Sequence, residues 1–173
     1  MIRNLICTFA FGATACSVAL MLAPRTAQAD HHPHCQIVDG QLAEDPGGAA
    51  NCPAGHPGCF IGAIHGRGLH ATTQFYGDGA GTPPASSPDF IPYTGITTYT
   101  TDHGSFTTRE SGHYSTVEIA DAPEEGDGAS FSIEIIKSGT GEFANATGYL
   151  YVTGFIDNAA HVSSSVTGKI CTP

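Results

Sequence analysis

Six side chains have the chemical types that small-molecule chemistry uses and lie on segments of alternating polarity: His65, Arg67, His70, Arg109, Glu110 and His113. Imidazoles and carboxylates move protons, and a guanidinium holds a carbonyl or anionic oxygen. Arg109 and Glu110 are adjacent, so on a strand they point to opposite faces. His65 and His70 differ by an odd number and also point apart on one continuous strand. None of the six sits in a catalytic signature. No G-x-S-x-G elbow occurs, which disfavours a serine hydrolase.

A second set with chemical potential depends on processing. Arg3 opens the chain, Leu5 to Ala23 is apolar and uncharged, and Ala27-Gln28-Ala29 closes the segment with small residues. This is the order of a secretory signal, with cleavage expected before Asp30. The apolar stretch is also long enough for an uncleaved anchor, and a lipoprotein cut before Cys16 is the weaker rival. Removal of residues 1–29 makes Asp30 the free N-terminus, followed by His31, His32, Pro33 and His34. An amine, two amide nitrogens and an imidazole at position three form a square-planar set for Cu(II) or Ni(II). A solvated histidine-rich tail is the plainer reading of the same residues. No other cofactor is expected. The location expected is exported, periplasmic or extracellular.

Charge narrows the partners. Beyond residue 29, Arg67, Arg109, Lys137 and Lys169 face sixteen Asp and Glu, a net charge of −12. Such a surface repels nucleic-acid phosphates and anionic lipid, so neither is an expected partner. Four cysteines remain there: Cys35, Cys52, Cys59 and Cys171. An even number in an oxidising compartment reads as two disulfides. No C-x₂-C pair supports zinc.

The elements that must position these residues read as strands. Helical periodicity is absent after residue 30, and period-two runs recur. Phe131, Ile133 and Ile135 alternate with Ser130, Ser132 and Glu134, and Leu150 and Val152 alternate with Tyr149, Tyr151 and Thr153. Strands are expected near 60–66, 68–76, 92–101, 104–110, 113–120, 129–137, 148–157 and 160–171. Gly66 and Gly68 suggest a bend inside one long first strand, which leaves the count at seven or eight. Short connections imply antiparallel neighbours, and an up-and-down barrel removes the edges of a lone sheet. Residues 30–58 read as an irregular His-, Gly- and Pro-rich arm, and 59–173 as the barrel domain. Residues 77–91 form a long loop, mobile or functional. In a closed barrel the start of the first strand lies beside the end of the last. This ranks Cys59–Cys171 first, with Cys35–Cys52 pinning the arm. The competing pairing is Cys52–Cys59 with Cys35–Cys171.

The segment Ser138-Gly139-Thr140-Gly141-Glu142-Phe143-Ala144-Asn145-Ala146-Thr147-Gly148 is the most distinctive in the chain. It resembles the G-G-T-G-x-F-x-x-A-x-G signature of plant dirigent proteins and allene oxide cyclases, with Ser138 in place of the first glycine. Thr101-Asp102-His103-Gly104-Ser105-Phe106 is similar to a turn in the cyclases. The resemblance spans roughly residues 59–171 and implies a closed eight-stranded antiparallel β-barrel. The motif itself reads as fold: Gly139 and Gly141 for a sharp strand exit with φ > 0, Phe143 as a plug, Gly148 to restart the next strand. A phosphate loop is disfavoured, since no Lys follows and the surroundings are acidic.

Proteins of the resembled families fold or steer a bound reactive molecule without a cofactor. The function expected is therefore binding of a small apolar organic ligand in an exported barrel, with cofactor-independent cyclisation or isomerisation, or dirigent-like steering. The alternative is a non-catalytic secreted protein acting through its surface or its Cu/Ni-binding arm. Homo-oligomer formation is compatible with either.

Overall fold

A lone sheet with one face to bury can bury it by curling shut. The chain does this. In the computed structural model, which describes residues 33–56, 58–115, 117 and 127–173, eight strands follow one another. They are β1 (His34–Pro46), β2 (Phe60–Arg67), β3 (Leu69–Ala80), β4 (Phe90–Thr101), β5 (Gly104–Ser115), β6 (Gly128–Gly139), β7 (Thr147–Ile156) and β8 (Val162–Thr172). Each pairs antiparallel with the next, and β8 pairs with β1 to close the barrel. The expected closed, eight-stranded, up-and-down β-barrel is the observed fold. No helix among the described residues is long and apolar enough to cross a membrane.

Three expectations about the elements are corrected. Residues 34–46 are not an irregular arm; they form β1, so the barrel runs from His34 to Thr172 rather than from residue 59. This segment alternates buried Val38, Gly40, Leu42 and Glu44 with exposed Asp39, Gln41 and Ala43. Its Gly, Asp and Glu content hides the alternation from propensity alone. The expected bend at Gly66–Gly68 is a tight hairpin, with Gly66 opposite Leu69 and Gly68 at φ +77°. Ser111-Gly112 is not a turn: β5 runs through it unbroken, replacing the strands expected at 104–110 and 113–120.

The disulfides follow from the same correction. Cys35 and Cys171 are direct partners across the β1–β8 seam and are bonded, and Cys52 is bonded to Cys59 in the β1–β2 connection. The pairing Cys59–Cys171 with Cys35–Cys52 is therefore wrong. The end of the last strand does meet the start of the first, but the first strand is β1.

One end of the barrel is filled. Val38, Ile64, Leu69, Leu150, Val166 and Ile170 are buried there around a stacked pair, Tyr99 and Phe106, with ring centroids 4.7 Å apart. Each large apolar side chain contributes about 1.5–3 kcal/mol by leaving water. Phe143 closes this end. Its ring lies 5.0 Å from that of Phe106, on a 3-10 turn at Gly141–Phe143. The two segments behind the family resemblance meet here. Thr140 N–H donates to the Ser105 carbonyl (2.7 Å), Glu142 N–H donates to the His103 carbonyl (3.0 Å), and Thr140 Oγ1 accepts from Ser105 N–H (3.1 Å). Gly141 has φ +58°, and a Cβ there would lie 2.1 Å from the His103 carbonyl. Gly139 does not take the expected positive φ; the Phe143 carbonyl, 2.2 Å from where its Cβ would stand, is what requires glycine.

Candidate functional site

The other half of the barrel is hollow. A cavity of about 730 Å³ runs from the β1–β2 connection (His56, Gly58) and the end of β3 (Ala80) down to Glu134. Three carboxyls reach it from three strands: Glu44 of β1, Glu110 of β5 and Glu134 of β6, which are 7%, 6% and 2% exposed. Register brings them together. Glu110 lies directly opposite Glu134, and Glu44 stands between Gly62 of β2 and Val162 of β8. Like charges directly opposite each other destabilise a sheet, a cost that a purely structural wall would avoid.

Hydroxyls hold each acid. Tyr99 O–H donates to both Glu134 oxygens (2.9 and 3.0 Å), and Thr108 O–H donates to Oε2 (2.6 Å). Tyr93 and Thr97 donate to the two oxygens of Glu110 (2.6 and 2.9 Å). Thr73 donates to Oε1 of Glu44 (2.6 Å). Burial pushes the Glu134 carboxyl well above the ordinary carboxylate range, with the charge on Glu110 adding to it. Burial likewise raises Glu44 to about 7, opposed by its bond from Thr73. Tyr93 and Tyr99 are pushed upward by burial and by the neighbouring acids, so they remain phenols. The arrangement can supply a proton at neutral pH and hold hydrogen-bond donors or positive charge.

Four rings from consecutive strands form an arc at the mouth: Phe60, Phe75, Tyr93 and Tyr114, with successive centroids 6.0, 5.9 and 6.0 Å apart. Two glycines make room for it. A Cβ on Gly95 would lie 2.2 Å from the Phe75 ring, and one on Gly112 would lie 2.9 Å from the Tyr93 ring. Asp78 sits at a bulge between Gly77 and Gly79, where the chain gains a residue over β4. There it accepts from Thr94 (2.9 Å) and pairs with Arg109, whose hydrogen bond keeps the Asp78 carboxyl below its usual range. His56 lies over Tyr76, with centroids 4.2 Å apart, so the Cys52–Cys59 connection rests on the rim.

Of the six candidates from sequence, Glu110 alone enters the lumen. Arg67 is exposed and pairs with Asp39 (3.6 Å). His65 and His70 sit opposite each other across the hairpin with rings 5.9 Å apart, on the same outward face, because a turn rather than a bulge separates them. Arg109 is engaged at the rim, and His113 stacks on Phe131 outside the barrel (5.2 Å). Asp30, His31 and His32, the expected metal set, lie outside the described residues, as do the signal segment 1–29 and most of the acidic loop between β5 and β6. Glu44 and Glu134 were missed. The signal for Glu134 was present in its alternation with Ile133 and Ile135, but those isoleucines are 38% and 40% exposed and the polar side faces the lumen.

Fold and site together define an antiparallel β-barrel stoppered at one end, with an acidic floor and an aromatic mouth. Comparisons with protein-family models, with curated proteins and with solved structures found no match.

Proposed function

We propose that this protein binds a small, largely apolar organic molecule in the barrel lumen and acts on it as a cofactor-independent acid–base isomerase or cyclase. The cavity supports this reading more than any other feature. Its volume of about 730 Å³ lies within the roughly 300–1,000 Å³ of small-molecule sites. It also ends on Glu134, a carboxyl whose hold on its proton burial strengthens. Glu134 can give that proton to a double bond or carbonyl of the bound molecule. Glu110, opposite it in register, can take one from a neighbouring carbon, so the protein ends with the protons it began with. Leu42, Val152, Ile156 and Val162 shape the apolar wall. The segment from Gly139 to Gly148 supports an allene oxide cyclase-like or dirigent-like relationship, in which shaping of the substrate carries much of the work. The two disulfides fit an exported protein. Export itself, with cleavage before Asp30, is part of the proposal.

The test is a fluorescence titration with 1-aminoanthracene, a neutral apolar probe. A blue-shifted, saturable signal is expected, and Val162→Trp, which fills the mouth, removes it while leaving the circular dichroism unchanged. No signal, or an equal signal in the filled variant, contradicts the reading.

A further inference from the structure

The lumen carries acid and, among the described residues, no cation. Arg67 and Lys137 are exposed, Lys169 lies on the face of β8 opposite that of the buried Val166 and Ile170, and Arg109 is paired with Asp78. Buried charges in proteins are ordinarily paired. Here Glu44, Glu110 and Glu134 are each over nine-tenths buried and, among the described residues, are met by hydroxyls alone. Among the described residues Glu44 accepts a single hydrogen bond, leaving its second oxygen for something in the cavity. A further buried polar group lies on β8: Ser164 is 2% exposed, among the described residues its Oγ has no hydrogen-bond partner, and it shares a strand face with Val162 and Val166, opposite Gly154.

A metal ion does not fit this pattern: among the described residues no three ligating side chains come close enough to hold one. Carboxyls that reach one cavity from three different strands suit a group with several hydrogen-bond donors. An alkylammonium has three such donors. The mouth suits the rest of such a molecule, because the rings of Phe60, Phe75, Tyr93 and Tyr114 offer apolar surface to its body and a negative π-face to its charge on the way in.

Resting on the reading of the lumen as a ligand site, we propose that its ligand is an organic cation: a primary or secondary amine on an aromatic or branched apolar body, with the ammonium seated among Glu44, Glu110 and Glu134. An organic anion such as a fatty acid would meet three acidic side chains there and, among the described residues, no cation. Seating the ammonium draws a proton off Glu44, whose carboxyl burial raises to about 7, so binding releases protons at neutral pH. The titratable side chains facing the three acids are Tyr93 and Tyr99 of β4 and Tyr114 of β5, with His56 and Asp78 at the rim. β2, β7 and β8 present none to the lumen.

Calorimetry at pH 7 with three isosteric probes tests this: 4-phenylbutylamine, 4-phenylbutan-1-ol and 4-phenylbutanoate. The amine is expected to bind about tenfold or more tighter than the alcohol, and the carboxylate more weakly than either. In buffers of different ionisation enthalpy, the amine alone releases protons. In the double variant Glu110→Gln, Glu134→Gln the amine's advantage over the alcohol falls to within about threefold. Should that variant not fold, the proton release of the unaltered protein decides on its own. Alcohol binding equal to or tighter than amine, or amine binding without proton release, overturns the cation assignment and leaves the cavity reading standing. Failure of all three probes to bind overturns both.

Discussion

At the residue scale the three lumen acids set the behaviour, and their titration is a statement about stability. Glu44 is raised from 4.5 to about 7 by burial. Between those values the unfolded chain loses a proton that the folded barrel keeps. Folded protein then binds more protons than unfolded, and stability falls as pH rises through that window. The loss is about 3 kcal/mol at roughly 1.4 kcal/mol per unit. Glu134 acts with the same sign. So does His161, whose raised pKa comes from its bond to Asp157 and whose contribution is lost as pH rises. The lowered carboxyls Asp78 and Asp157 act only below the ordinary carboxylate range. Urea midpoints are therefore expected to be higher at pH 5 than at pH 8. Glu44→Gln should remove much of that difference while His161→Asn leaves most of it. A midpoint rising from pH 5 to 8 contradicts the burial of these acids.

The same scale shows why the site was only partly legible. Glu110 was legible as a carboxylate on a strand, next to Arg109 and therefore on the opposite face. Glu134 was visible as the polar half of an alternating strand, but alternation does not say which half faces the lumen. In most sheets the apolar half is buried. Here Phe131, Ile133 and Ile135 lie outside, because a hollow acid-lined lumen takes the polar half. Glu44 sat in a segment whose glycine and acidic residues masked a strand.

At the element scale β1 matters most. It supplies Glu44, closes the barrel against β8 and anchors that seam through Cys35–Cys171, a bond that joins residues 136 apart in sequence. The Cys52–Cys59 bond spans 7. Loop-closure entropy gives roughly 5 kcal/mol for the first and roughly 2.5 kcal/mol for the second. Replacing both members of a pair by Ser should lower the urea stability about twice as much for Cys35–Cys171; equal losses contradict the seam's role. At the stoppered end, Phe143→Ala should cost about 3–5 kcal/mol by opening a cavity beside Phe106. Its effect on probe binding at the far mouth should be small. A titration in which Phe143→Ala abolishes binding while the fold persists contradicts the division of the barrel into a packed half and a hollow half. The count of eight agreed because two errors cancelled: β5 was divided at Ser111-Gly112 and β1 was left out. The disulfide error descended from the omission of β1.

At the scale of the whole molecule, the barrel separates two jobs along its axis. The Gly139–Gly148 segment, Phe106 and Tyr99 make a solid end that fixes the wall. Glycines at Gly95 and Gly112 thin the wall at the other end, so that aromatic rings frame an opening above the acids. Closure and strand order were readable because they follow from period-two patterning and short turns. The hollow was not, since cavity volume depends on how side chains from eight strands meet. The most direct measurement is methyl-selective NMR of the protein titrated with 1-aminoanthracene. The account predicts shift changes and intermolecular NOEs at Leu42, Val152, Ile156 and Val162, which line the lumen, and none at the exposed Ile133 and Ile135. Contacts confined to Ile133 and Ile135, with the lumen methyls silent, would place binding on the outer face and contradict it.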